Sequence, residues 1–143
     1  MATRITNDHV HNLQQIETIT AAEGTTSRML TITGQFDVTL NAIEVTGGAA
    51  VTRENETFTL LLGPVLPGQQ FQRAIASAWF TKMTLSTGDG ANISWAITEV
   101  EAEQDDESGQ VEMRIEVQLA ATRANVGVGA IGFQVTILAV VPS

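Results

Sequence analysis

Between Val111 and Leu119 the side chains alternate without a fault. Val111, Met113, Ile115, Val117 and Leu119 are apolar, and Glu112, Arg114, Glu116 and Gln118 between them are polar or charged. A period of two belongs to a strand with one face in a core and the other in water, and no helix accommodates it. Upstream, Ile93, Trp95 and Ile97 alternate in the same way, and then the apolar phase slips by one residue to Val100 and Ala102. Such a slip turns every later side chain to the wrong face unless a β-bulge absorbs it. Setting Ile97 opposite Ile115 and Val100 opposite Met113 places Thr98 and Glu99 together against Arg114. Every apolar residue, Trp95 included, then points inward. The result is a hairpin whose turn lies within Gln104–Gln110.

The rest of the chain carries the same signal. Thr, Val and Ile are frequent and Gly and Pro fall between apolar runs, which is β composition. Further strands are expected at Gln15–Ala21, Arg28–Thr33, Gln35–Thr46, Ala49–Arg53, Glu56–Leu62 and Val126–Val141, with a Pro-containing loop at Gly63–Gln70. Phe71–Leu85 is readable in two ways. Phe71, Ile75, Ala78, Trp79 and Met83 have helical spacing, whereas Phe71, Ile75, Trp79, Met83 and Leu85 also fit one face of a strand. A strand over Ala74–Ser86 is favoured, with a short helix in 70–80 as the alternative. Gly88-Asp89-Gly90 resembles a hairpin turn. The expected architecture is all-β: an antiparallel β-sandwich of jelly-roll type over residues 13–143, preceded by a flexible arm over residues 1–12.

Composition closes off several functions. The chain has 143 residues and no cysteine, so thiolate metal sites and cysteine nucleophiles are excluded. Seven basic residues against sixteen acidic ones give a net charge of −9. Nucleic acid needs clustered Lys and Arg, so it is not an expected partner. The longest apolar run, Val126–Val141, is sixteen residues and is interrupted by Gln134, Thr136 and three glycines. A helical span needs about 18 to 20. No signal-peptide core is visible near the start, so a cytoplasmic or particle-associated setting is expected.

Few motifs offer chemistry. Gly127-Val128-Gly129-Ala130-Ile131-Gly132 matches G-x-G-x-x-G, but no acidic residue follows among the eleven that remain. A dinucleotide fingerprint needs one about 20 residues on. The glycines are read as places where a backbone comes close or bends. His9 and His11, with Asp8, have spacing suited to a transition metal. Glu99, Glu101 and Glu112 form an acidic row suited to a hard cation, with Glu101 facing Glu112 on the pairing above. His9, His11, Glu99, Glu101 and Glu112 are the candidate ligands, and both sets are read as surface rather than site. No G-x-S-x-G elbow and no supported acid–base pair occur, so no cofactor and no enzymatic activity are expected.

Charged residues make up 16% of the chain, against about 25% in typical domains. Several of them crowd into Glu99–Glu116. The remaining surface is poor in charge, as association surfaces are. Val126–Val141 is apolar at both odd and even positions. One set, Ile131 to Ile137, can fill a core. The other, Val126, Val128, Ala130, Leu138 and Val140, is the candidate interface. The expected function is a non-catalytic module that associates with itself as a closed cyclic homo-oligomer. The alternative is a β module that binds a glycan or another small ligand.

Overall fold

The computed structural model describes residues 2–43 and 50–142. Among the described residues all regular structure is β apart from one 3-10 turn at Asn7–His9. The strands are β1 (Ala2–Ile5), β2 (Val10–Ala22), β3 (Thr25–Ala42), β4 (Thr52–Leu62), β5 (Phe71–Gln104) and β6 (Val111–Pro142). The expected strand ends at 44–46 and at 49 lie outside the described residues. So does the first residue of the expected arm, whose remainder holds β1, the 3-10 turn and the start of β2.

The spine is β6. Along one edge it pairs antiparallel with β5 over nearly its whole length, from Val111 opposite Gln104 to Ala139 opposite Phe71. Along its other edge Val111–Ala121 pairs with β4 and Val126–Pro142 pairs with β3, both antiparallel. β2 and β3 form an antiparallel hairpin, and β1 joins β4 in parallel. The path β1-β4-β6-β3-β2, with β5 alongside β6, is one mixed sheet that curls strongly into a half-barrel. The expected all-β architecture is present, with one continuous mixed sheet as its framework. The reason is β6 itself: a strand long enough to bond β4 with one half and β3 with the other leaves no break between two layers.

The curl is made at a corner. Gly88–Ala91 of β5 stand opposite Arg123 alone, and both Gly90 (φ +72°) and Arg123 (φ +53°) adopt left-handed backbone. The expected hairpin turn at Gly88-Asp89-Gly90 is thus a wide bulge inside a continuing strand. The chain does not reverse there because β6 offers partners on both sides of the corner. Bending brings the two halves of the concave face together. The Phe36 ring of β3 lies 5.7 Å from Phe58 of β4 and 6.2 Å from Phe133 of β6. Around them Leu30, Ile32, Leu60, Met113, Ile115, Val117 and Ile137 are fully buried.

The alternative helix in 70–80 is also corrected, since those residues start β5. Its alternating burial explains the ambiguity. Ala74, Ala76, Ala78 and Phe80 pack against the core while Ile75 and Trp79 stay exposed. Here three alanines face inward while an isoleucine and a tryptophan face out, the reverse of the usual size rule.

The Ile93–Leu119 pairing has its bulge at Thr98, between Ile97 and Glu99, as the phase slip requires. The register is displaced by two residues from the expected one: Ile97 faces Val117, Val100 faces Ile115 and Ala102 faces Met113. A two-residue shift leaves every face unchanged, so alternation does not detect it. The turn decides. Asp105 N donates to Gln110 O at 2.8 Å, Gly109 N to Asp105 O at 2.8 Å and Ser108 N to Asp105 Oδ2 at 3.0 Å. With Gly109 at φ +74°, this loop holds Gln104 against Val111.

Candidate interaction surface

The five candidate metal ligands do not gather into one site. His9 lies beside Thr6 Oγ1 at 3.2 Å, whereas His11 Nε2 meets Asp37 Oδ2 at 3.1 Å. Each imidazole thus has its own neighbours. In the acidic row the register places Glu101 opposite Arg114, which corrects the expected Glu101–Glu112 clash. Glu112 faces Glu103 and binds Arg4 at 3.4 Å, while Glu99 faces Glu116. The Glu101 carboxyl is pushed above the ordinary carboxylate range by its hydrogen bond with Glu99 and by repulsion from Glu99 and Glu103, which Arg114 only partly offsets. Among the described residues no three His, Cys, Asp or Glu side chains converge in a way that could hold a metal ion.

The candidate interface residues divide. Val126, Val128 and Ala130 are buried inside the protomer. Leu138 and Val140 remain on the convex face, with Leu138 exposed and Val140 half-buried. The expectation of two continuous faces along Val126–Val141 is corrected by a phase slip between Ala130 and Ile131. Both of those residues are buried, and the neighbouring strands absorb the slip between Asp37 and Leu40 on β3 and around Lys82 on β5.

The three glycines of the G-x-G-x-x-G run are covered by the protein's own side chains. A Cβ at Gly132 would stand 2.5 Å from Trp79 Nε1, one at Gly129 3.0 Å from Lys82 Cδ, and one at Gly127 2.7 Å from Thr84 Oγ1. They admit neighbouring side chains from β5 and, at Gly127, that of Asn41 of β3. They do not hold an opening for a second backbone, and no helix follows them.

Outside the core the convex face has two characters. Over the β1–β4–β6–β5 half it carries Glu99, Glu101, Glu103, Glu112 and Glu116. Over the β2–β3–β6–β5 half the rows run Thr18–Met29–Leu138–Arg73 and Ile16–Thr31–Thr136–Ile75. Ile16 is 69% exposed, Ile75 61%, Met29 43% and Trp79 43%. A shallow groove of about 310 Å³ crosses this patch between Thr18, Met29, Gln72, Leu138 and Val140. No carboxylate lies in those two rows. Sequence reasoning found Leu138, Val140 and the acidic row but missed Ile16, Met29 and Ile75. Ile75 was assigned to an apolar strand face, and Ile16 and Met29 sit in Thr-rich strands where only the register shows that they adjoin.

Trp95 was expected in the core and is 46% exposed. It stands on β5 at the sheet edge, where Leu119 covers only one side, and it lines a depression of about 310 Å³ with Arg53, Asn55, Ser94 and Gln118. Among the described residues no helix is long and apolar enough to cross a membrane. Comparison with protein-family models, with characterised proteins and with solved structures finds no match.

Proposed function

We propose that the protein is a non-catalytic structural or assembly module that associates with copies of itself, in a cytoplasmic or particle-associated setting. The observation that carries this reading is the segregation of the convex face into an acidic half and a half whose rows Thr18–Met29–Leu138–Arg73 and Ile16–Thr31–Thr136–Ile75 carry no carboxylate. An apolar patch rimmed by polar side chains marks an association surface. The acidic half stays in water and limits further clumping. Surface area supports the same reading. The chain exposes 8225 Å², whereas a compact monomer of 15.2 kDa should expose about 7,100 Å². Contact between the two curled halves through Phe36 and Phe58 supports a sandwich-like, jelly-roll-type description of the protomer.

The test is substitution on the apolar half. Leu138→Glu is expected to dissociate the oligomer while the far-ultraviolet circular dichroism stays that of the folded chain. An oligomer that survives Leu138→Glu and Met29→Glu together would remove this surface from the interface. The second reading, a glycan-binding module, draws on the exposure of Trp95, since an exposed indole can stack on a sugar face. Binding on a glycan array that Trp95→Ala abolishes would favour it.

A further inference from the structure

The edge strand β2 carries more specific information than the apolar patch it borders. From Gln14 to Ala22 it bonds β3 in unbroken antiparallel register, and among the described residues no strand lies along its other edge. Both of its faces are exposed from His11 through Ala22. The usual protections of an edge are missing. There is no proline and no lysine in β2, and the single bulge lies before Gln14. Its one carboxylate, Glu17, is tied to Arg28 at 2.6 Å. A long edge in this state is a template for another strand.

We propose, resting on the self-association reading, that the other strand is β2 of a second copy, paired antiparallel about a two-fold axis through Ile16. A two-fold axis normal to the sheet keeps each face continuous, so every in-phase register is fixed by the residue on the axis. With Glu17 there, two carboxylates oppose each other. With Thr18 there, Ile16 meets Thr20 and Ile19 meets Glu17. With Gln15 there, Ile16 meets Gln14 and Leu13 meets Glu17. With Ile16 on the axis, Ile16 meets its own copy and Leu13 meets Ile19. Gln15 meets Glu17, so an amide donates to a carboxylate. Of the centres from Gln14 to Thr20, this one alone sets all three exposed apolar side chains against apolar partners: Leu13 (48%), at the inner end of the bulge, Ile16 (69%) and Ile19 (60%). Such cross-strand pairs stabilise a sheet, and a two-fold contact must be self-complementary in this way. The sheet then runs unbroken from β5 of one protomer to β5 of its partner. Because Ile16 lies in the row Ile16–Thr31–Thr136–Ile75, the apolar patches of both copies merge across the axis.

The absence of native cysteine makes thiol cross-linking a clean test. Directly opposed residues have Cα atoms about 4.5–5.5 Å apart, within disulfide range. Ile16→Cys is therefore expected to form a covalent dimer under mild oxidation. Thr18→Cys places its two thiols four residues out of register, about 14 Å apart, and is expected to stay uncross-linked. Mixing Gln15→Cys with Glu17→Cys protein is expected to give the mixed dimer. Ile16→Lys is expected to weaken association while circular dichroism stays unchanged. If the wild type sediments as an oligomer but Ile16→Cys does not cross-link, or Thr18→Cys cross-links as readily, the β2 pairing is overturned and self-association through another surface stands. A wild type that is monomeric at micromolar concentration overturns both.

Discussion

Gly132 has no room for a side chain because the Trp79 indole occupies that space. Gly132→Ala should push the indole off the strand into water. The tryptophan emission should shift to the red, with a stability loss on the order of 1 kcal/mol from the lost burial. An unshifted spectrum would show that Trp79 does not rest there. Titration of single carboxylates is a second residue-scale test. Glu101 holds its proton more readily in the folded chain because Glu99 shares a hydrogen bond with it and repels its charge. Its ionisation therefore costs stability as pH rises from the ordinary carboxylate range through its raised value. Glu101→Gln should raise Tm near neutral pH, and the gain should fade as pH falls below that range. Asp105 has the opposite sign. The hydrogen bonds from Ser108 depress its carboxyl, so its contribution is present above the ordinary value and is lost as pH falls through the depressed one. A Glu101→Gln gain that grew on acidification would contradict the assignment.

The strands show how much an alternating pattern can and cannot convey. Ile115, expected inside from its phase alone, is fully buried between β4 and β5 and faces Phe58 and Val100. Ile115→Ala should cost about 2–5 kcal/mol, as for other buried large-to-small changes, and denaturant unfolding measures it. A loss below 1 kcal/mol would mean that the site is not packed as described. The bulge at Thr98 was legible because a one-residue slip changes faces. The two-residue displacement of the register was not, because faces repeat every two residues and only the Asp105–Gln110 hydrogen bonds select the pairing. Gly88-Asp89-Gly90 has turn chemistry, but whether a turn reverses the chain or merely bends it depends on what pairs with the flanks. The same limit applied to the interface. Leu138 was legible as outward-facing, whereas Val126, Val128 and Ala130 were misassigned because the slip at Ala130–Ile131 is hidden in a run where both phases are apolar.

For the whole molecule, one long hairpin organises everything. β5 and β6 bend together at Gly90 and Arg123, and the bend closes the core around Phe36, Phe58 and Phe133. That arrangement leaves β2 as an edge with both faces in water and separates an acidic convex half from an apolar one. The charge balance of −9 fits this separation, since it can keep a finite assembly dispersed without charging the contact itself. Sedimentation velocity of the unmodified chain across the micromolar range is the most direct test of self-association. The expected result is a discrete species that is a small multiple of 15.2 kDa. A single 15.2 kDa species at every concentration would contradict it.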